Sequence, residues 1–442
     1  MKKLVVVLCT ILLVLPLFAG GSSEAAKGPA QEKTIETFNP NEKVELRINW
    51  WGGETRHKAT LAAIDAFMKK YPNITVKAEY GAWDGWTEKN AIQLSGGTAP
   101  DVMQINWNWM YQFSSDGSKF VDLRDYDHIL SLQNYDQGIL DQNIVAGKLQ
   151  GLPIGTTGKV FYWNKSTFDM AGLPVPSTFA EIMQAGQVFK NTLGNDYYPM
   201  GLYEYERMLL MIYYLNAKYG KPWAVDNQLN YSIAEVQDGL DWINSLEKNH
   251  VLPSIATMKG DGATVLEKNP KWMTGRYAGF YEWDSAQSKM AAALEKDQEF
   301  VMGAFPMDLG PSKAGLTKIT QCFAVTETSK HKAAAIMLLD FLTNDPEGVL
   351  IMGTERGMLA NNAATKVLAD NGLMKGLTYE GNQAVLKVNN FSLDPNFENS
   401  ELKDTTGLYY EVFESLSAGA DTAKLARYMV ETINDVYQRN AY

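Results

Sequence analysis

The sequence predicts an α/β protein of two domains, with mostly parallel sheets flanked by helices. Its 442 residues exceed what a single compact core usually holds. Predicted strands, in which apolar and polar residues alternate, are followed along the chain by segments of helical periodicity. This order is typical of parallel sheets, and 45% hydrophobic with 21% charged residues indicates a globular chain.

The first 21 residues are predicted to be a secretory signal peptide. Lys2 and Lys3 precede an apolar run over 4–15 that is too short to span a bilayer, and small residues follow at 19–21. Residues 22–41 are polar and aperiodic, which predicts a flexible spacer and fits a buried N-terminal helix poorly. Cys9 lies inside the apolar run, where a lipid-bearing cysteine is not expected, so release and membrane tethering are both compatible with this leader. The exported chain keeps one thiol, Cys322, and no internal disulfide.

Three predicted strands open the folded part, at 44–50, 74–80 and 101–105. Helices are expected between them at about 56–70, which Pro72 ends, and at 87–94. Each of these strands, or the loop that follows it, carries tryptophan: Trp50 and Trp51, Trp83 and Trp86, Trp107 and Trp109. Ligands of parallel sheets bind at the carboxyl ends of strands, so these indoles are candidate walls of a ligand site. Each indole alone is equally compatible with a place in the core.

A second α/β set is expected to begin near residue 151. Its predicted strands are 160–163, 277–282, 300–305 and 324–326, and its predicted helices are 165–171, a helix capped by Ser177 or Thr178, 233–248, 332–342 and most of 408–440.

Several functions are excluded or left without support. A net charge of −11 argues against a nucleic-acid or anionic-membrane partner. The four histidines show no metal-ligand spacing, so no metal or cofactor is expected. The segment 155–160 only superficially resembles a phosphate loop, because Pro153 stands in place of the first glycine and Val160 in place of the Ser or Thr. No catalytic motif is recognised, although paired carboxylates of a glycoside hydrolase would leave no signature in sequence.

Aromatic and polar residues are interleaved at several places, as carbohydrate sites require. An aromatic ring covers the apolar face of a sugar, while Asp, Glu, Asn and Arg bond its hydroxyl edge. The segments concerned are Trp83-Asp84, Asn106-Trp107-Asn108, 203–207 and Trp283-Asp284.

The chain resembles the family 1 extracellular solute-binding proteins of bacterial sugar ABC importers. Seven landmarks carry the resemblance in order: Trp50-Trp51-Gly52-Gly53, 67–72, 94–102, 147–153, 162–168, Ala171-Gly172-Leu173 and 275–279. Within that family, Trp50–Gly53 with Arg56-His57, residues 96–109, and Phe113-Ser114 with Asp116-Gly117 are similar to oligogalacturonide-binding proteins. Lys159 and Trp163 depart from that subgroup, in which Arg and Phe are expected.

The resemblance implies a two-lobed periplasmic-binding-protein fold of type II, with a ligand cleft between the lobes and closure by hinge motion. The implied N-terminal lobe is 42–152 with 320–357, and the C-terminal lobe is 153–319 with 358–442. Crossing segments are expected near 151–154, 317–321 and 356–360. The expected function is non-enzymatic: a monomer in the periplasm or on the outer face of the cytoplasmic membrane, which delivers an oligosaccharide to an ABC permease. A secreted carbohydrate-active enzyme is the alternative, and a structural envelope protein would leave the tryptophans unexplained.

The resemblance also implies a set of ligand-binding residues. They are Trp51, Glu54, Arg56, Trp83, Trp86, Asn106, Trp107 and Asn108 in the first lobe, Tyr203, Glu204, Tyr205, Arg207, Trp283 and Asp284 in the second, and Arg356 at a crossing. A uronic-acid oligomer such as an oligogalacturonide would pair its carboxylates with Arg56, Arg207 or Arg356. A neutral oligosaccharide is the second choice, and Arg47 and Lys159 are weaker site candidates.

Overall fold

The computed structural model describes residues 35–83 and 85–441, and the chain from Glu36 onward forms one compact unit. The predicted signal peptide with Cys9, residues 22–34 of the predicted spacer, and Asp84 lie outside the described residues. Among the described residues, no helix combines the length and the apolar character needed to cross a membrane.

The strands are β1 Val44–Trp51, β2 Ile74–Gly81, β3 Val102–Ile105, β4 Ile144–Val145, β5 Lys148–Leu149, β6 Leu152–Asn164, β7 Ala224–Val225, β8 Gln228–Leu229, β9 Gly279–Trp283, β10 Phe300–Met302, β11 Gly315–Val325, β12 Met358–Leu359 and β13 Asn389–Ser392. The helices are α1 Glu54–Lys70, α2 Trp86–Ser95, α3 Trp109–Phe113, α4 Gln137–Asp141, α5 Lys165–Met170, α6 Phe179–Thr192, α7 Glu204–Tyr219, α8 Ile233–Lys248, α9 Ile255–Gly260, α10 Pro270–Met273, α11 Gln287–Ala292, α12 Lys332–Thr343, α13 Pro346–Met352, α14 Asn362–Asp370, α15 Leu377–Val388, α16 Ser400–Lys403, α17 Leu408–Ser417 and α18 Thr422–Arg439.

The main sheet runs in the order β10-β6-β11-β3-β1-β2, with β9 and β12 also paired to β6 and β13 to β11. The two-lobed α/β class is confirmed. Parallel pairing joins β1 to β2 and β3, and β11 to β13, whereas the long strands β6 and β11 pair antiparallel with each other and with β3, β9 and β10. The sheet is therefore mixed rather than mostly parallel.

Two long strands join the two parts of the sheet. The first half of β6 pairs with β11 and the second half with β9 and β10, while β11 continues to β3. The short strand β12 adds to β6 at Gly155 and Thr156. These pairings bring the three predicted crossing segments side by side.

Two separate hydrophobic cores lie on either side of these strands. One contains Leu46, Ile48 and Phe67 of β1 and α1 together with Leu338 of α12. The other is built around β6, α7, α8 and α17, with Phe161 and Tyr213 among its buried side chains, and it extends to Trp51 and Ile105 at the ends of β1 and β3.

The largest departure from the predicted elements is α7. Thirteen of its 16 residues are buried, so its sequence has no polar face to mark a helix. The helix predicted over 408–440 is divided into α17 and α18, because Gly419 adopts a φ of 90° between them. The predicted N-cap is confirmed at Thr178, whose side chain forms a capping box with Glu181.

Gly279→Ala is expected to lower the free energy of unfolding by about 1–3 kcal/mol. A Cβ atom at this position of β9 would overlap the ring of Trp163 on β6, and backbone O of Pro199 lies only 2.9 Å away from it. Urea titration measures the change.

The matched control is Gly138→Ala on α4. Nothing lies within 4 Å of the added Cβ, so stability should rise by about 0.4–1 kcal/mol. Equal destabilisation by both variants would contradict the packing described for β6 and β9.

Candidate functional site

A cleft with two adjoining chambers lies beside the joining strands β6 and β11. The first chamber encloses about 190 Å³ and is lined by Trp51, Arg56, Trp83, Asn106, Thr157, Trp283, Ser285, Lys318, Thr320, Gln321 and Lys403. The second chamber encloses about 390 Å³ and is lined by Trp83, Gly85, Thr87, Glu88, Asn106, Trp109, Gln112, Glu398, Ser400, Lys403, Asp404, Thr405, Thr406 and Tyr410. The chambers share Trp83, Asn106 and Lys403, and so form one continuous groove.

Three indoles form a cluster on one side of the groove. The ring of Trp51 lies 5.1 Å from that of Trp83 and 5.1 Å from that of Trp109, and Trp83 stacks on Trp109 at 5.4 Å. Trp51 ends β1, Trp83 follows β2 and Trp109 begins the helix after β3. Because these three strands are parallel, their carboxyl ends bring the indoles together. Trp83 keeps 45% of its surface exposed and presents it to both chambers.

Trp283 stands at the end of β9 and also lines the first chamber. Its half-buried ring has the ammonium of Lys159 at 4.8 Å and that of Lys318 at 4.6 Å from its centroid. Such cation–π contacts fix the plane of the indole and add positive charge beside it. Lys159 is itself fully buried and paired with Glu282 at 2.9 Å.

Arg56, in the first turn of α1, is one of three cations that line the first chamber. Its guanidinium donates to backbone O of Glu355 at 3.0 Å, to backbone O of Trp51 at 3.2 Å and to Oε1 of Gln321 at 3.3 Å. Burial lowers the pKa of Arg56 to about 10, which leaves it charged at neutral pH.

The other two cations, Lys318 and Lys403, meet at the carboxylate of Glu398. Lys318 donates a hydrogen bond to Glu398, and Lys403 approaches the same oxygen to 3.2 Å. Burial disfavours the charge of Glu398, but the two ammonium groups outweigh it and hold its pKa well below the usual range. Burial lowers the pKa of Lys318 to about 8, although Glu398 opposes this shift.

Glu398 is also the point at which several elements are tied together. Its carboxylate accepts hydrogen bonds from the hydroxyl of Tyr205 at 2.9 Å and from Nδ2 of Asn106 at 3.0 Å, and its backbone O accepts from Nδ2 of Asn108 at 3.1 Å. Two lysines against one carboxylate leave one positive charge in excess, and Arg56 adds another.

The structure brings five of the residues predicted from sequence into the lining of the first chamber: Trp51, Arg56, Trp83, Asn106 and Trp283. Asn108 and Tyr205 do not line it, but both donate hydrogen bonds to Glu398, which binds the lining residue Lys318. Asp284 lies behind the lining, buried, where its carboxylate accepts from Thr157 Oγ1 at 2.6 Å, and burial raises its pKa to about 6.

The remaining predicted residues of the first lobe lie away from the groove lining. Glu54 is exposed and pairs with Lys58 at 2.7 Å. Trp86 and Trp107 are buried in the core. Arg356 is 2% exposed and donates to Gln104 at 2.8 Å and to Thr60 at 2.9 Å, so its charge holds β3 and α1 together.

Three more predicted residues belong to the start of the buried helix α7 and face the interior rather than the groove. The hydroxyl of Tyr203 donates to backbone O of Ala263, and Glu204 pairs with Lys259 at 2.9 Å. Arg207 is 1% exposed and donates to Glu247 and to backbone O of Leu202 and of Pro253. Arg47, a weaker candidate, pairs with Glu79.

Sequence reasoning did not predict several residues of the groove: Thr157, Ser285, Lys318, Thr320, Gln321, Glu398 and Lys403. Lys318 offered a signal, because it lies in a predicted crossing segment, where a lysine needs a partner for its charge. Glu398 and Lys403 gave none, since their meeting with Lys318 depends on a tertiary contact across 80 residues of sequence.

Comparisons with known proteins agree with this architecture. The sequence profile of the family described as bacterial extracellular solute-binding protein matches residues 51–349. A periplasmic solute-binding protein of Pectobacterium atrosepticum SCRI1043 is similar in structure, with 35% identity and a TM-score of 0.85 over 90% of this chain and 100% of that one. A periplasmic oligogalacturonide-binding protein of Yersinia enterocolitica, solved with saturated digalacturonic acid, shows 33% identity and a TM-score of 0.84 over 90% and 100% of the two chains.

Curated relatives match over shorter stretches. An ABC transporter extracellular-binding protein of Pyrococcus horikoshii is 25% identical over 164 residues, which cover 36% of this chain and 38% of that protein. The chain spans 66% or less of the length of the curated relatives that it matches.

Arg207→Ala is expected to lower the free energy of unfolding by about 3–5 kcal/mol, because it strands a partly buried Glu247 and two backbone carbonyls. Denaturant unfolding checks this value. Arg439→Ala removes an exposed cation paired with Glu401 and Asp435 and should leave the free energy of unfolding nearly unchanged. A small effect at Arg207 would contradict its assignment to the interior.

Proposed function

Because the chain belongs to the bacterial extracellular solute-binding protein family, we propose that it captures an acidic oligosaccharide and delivers it to an ABC permease. The observation that carries this proposal is the lining of the first chamber. It combines three tryptophans with three cations, and none of its described lining residues is a carboxylate.

This combination fits a uronic-acid oligomer. The faces of Trp51, Trp83 and Trp283 suit the apolar faces of sugar rings. Arg56, Lys318 and Lys403 suit the carboxylates, since charge-assisted hydrogen bonds in a desolvated cleft are the strongest that a protein offers a sugar acid. The similarity to the Yersinia enterocolitica protein solved with digalacturonic acid supports galacturonate as the first unit to test.

Binding without chemistry is the function that the family and the lining of the first chamber support. Hydrolysis of a glycosidic bond generally needs two carboxyl groups that flank it. The described lining of the first chamber supplies none, and the buried Asp284 is engaged with Thr157, Gly158 and Asn382 behind it.

Closure of two lobes on the ligand is the accompanying motion. We place the hinge in β6, β11 and the segment 356–360, and keep 42–152 with 320–357 as one lobe and 153–319 with 358–442 as the other. The Trp51 and Trp283 walls would then approach each other as the lobes close. The protein would act as a monomer outside the cytoplasmic membrane, in keeping with the extracellular-binding relative from an ABC transporter.

A binding panel tests the function. Isothermal titration and melting curves are recorded with digalacturonate, trigalacturonate, maltotriose and xylotriose. Ligand that binds only the folded state raises the melting temperature, so the acidic oligomers should raise it and the neutral ones should not. Stabilisation by neutral oligomers alone would contradict the proposed ligand class and leave the fold unaffected.

Trp283→Ala is expected to weaken digalacturonate binding at least about 30-fold, because truncating an aromatic at the centre of a site costs about 2 kcal/mol or more. Titration calorimetry measures the loss. Trp242→Ala is the matched control: this indole stacks on Tyr214 at 4.5 Å, away from the groove, and its loss should lower stability while leaving affinity unchanged. Unaltered binding by the Trp283 variant would place the site elsewhere.

The pH dependence of binding is expected to follow Lys318. Below its pKa of about 8 the ammonium is charged and affinity should be constant. As pH rises from 8 to 9.5 the free protein loses this charge, and affinity for digalacturonate should fall by up to about tenfold per pH unit. Calorimetry in buffers of different ionisation enthalpy should detect proton uptake on binding.

The same shift predicts the opposite trend for stability. The pKa of Lys318 is lower in the folded than in the unfolded state, so between about pH 8 and 10.5 the unfolded chain binds more protons and this residue's contribution to stability rises with pH.

The variant Lys318→Arg should keep its charge and abolish the decline of affinity. Constant affinity of the wild type up to pH 9.5 would contradict the role of Lys318.

A further inference from the structure

The second chamber differs from the first in the sign of its charge. Its described lining carries three carboxylates, those of Glu88, Glu398 and Asp404, against the single ammonium of Lys403. The first chamber has three cations and no carboxylate among its described lining residues. The polarity of one continuous groove therefore reverses at Trp83, whose exposed indole lines both chambers.

The negative charge of the second chamber is only partly offset by Lys403, the one cation among its described lining residues. Glu398 is already bonded to two lysines, which leaves Glu88 on α2 and Asp404 after α16 as the carboxylates that face the groove. Both are exposed. Burial and then the charge of Glu88 raise the pKa of Asp404, and the ammonium of Lys403 opposes this shift only in part.

The remaining lining suits a sugar without a charge. Hydroxyl groups of Thr87, Ser400, Thr405 and Thr406 and the amide of Gln112 face the space. They can donate to and accept from sugar hydroxyls, and the exposed face of Trp83 offers a surface for one ring.

Size indicates that a ligand uses both chambers. At about 190 Å³ the first chamber is smaller than the roughly 300–1,000 Å³ of pockets that bury a drug-sized ligand, and the second chamber adds about 390 Å³. An oligosaccharide held at Trp283 and Trp51 would extend past Trp83 into the second chamber.

We infer that the second chamber is a subsite for an uncharged sugar unit, either a neutral sugar or a uronate whose carboxylate is methyl-esterified, and that Glu88 and Asp404 reject a free uronate there. This inference rests on the proposed function. Like charges placed together across a binding site lower affinity and so give specificity by repulsion.

Titration with three kinds of ligand tests the subsite: digalacturonate, trigalacturonate and the regioisomeric monomethyl esters of trigalacturonate. The wild type should bind at least one monoester about threefold or more tighter than the unesterified trimer. The double variant Glu88→Gln/Asp404→Asn should lose this preference by binding the unesterified trimer more tightly.

A control with the same change in net charge is Asp241→Asn/Glu431→Gln, two exposed carboxylates on α8 and α18 that line neither chamber. It should keep the wild-type preference. The inference is overturned if the wild type binds the unesterified trimer as tightly as every monoester, or if the Glu88/Asp404 variant keeps the preference. Absence of binding by digalacturonate would instead overturn the proposed function, so the two failures are distinguishable.

Discussion

The groove depends on one buried ionic contact, in which Glu398 holds the ammonium groups of Lys318 and Lys403. The carboxylate of Glu398 is fully buried and Lys318 nearly so, whereas Lys403 is only partly buried. Taking such an ion out of water costs on the order of several kcal/mol, which its partners offset only in part. The hydrogen bonds from Tyr205 and Asn106 satisfy the remaining capacity of the carboxylate. Two ammonium groups against one carboxylate leave an excess positive charge beside the first chamber, and a carboxylate of the ligand can pair with it.

The same contact gives the groove its mechanical character. Asn106 and Asn108 follow β3, Lys318 belongs to the joining strand β11, Tyr205 begins α7, and Glu398 ends the turn Pro395–Glu398. Four stretches that are distant in sequence therefore share one carboxylate. A ligand carboxylate that bonds Lys318 and Lys403 competes with Glu398 for their charge. It therefore changes the contacts that hold together the elements connected by β6 and β11.

The sequence predicted the parts of the molecule that follow local rules. The helix predicted over 233–248 is confirmed with the same ends, and β1 and β2 are each one residue longer than predicted. The grouping of indoles at strand ends also follows from a local rule, because parallel strands place their carboxyl ends together. Residues that act through tertiary contacts could not be predicted in this way. The buried α7 lacks a polar face, so Glu204 and Arg207 resembled ligand contacts, although both are buried and pair with Lys259 and Glu247. Glu398 and Lys403 carry no local pattern, and only the fold brings them to Lys318.

The structure of the complex with digalacturonate tests the central claim most directly. The account predicts one uronate carboxylate within about 3 Å of the ammonium of Lys318 or Lys403, or of the guanidinium of Arg56, with a sugar face on Trp283. A ligand whose carboxylates point to solvent, or one bound outside the first chamber, would contradict it.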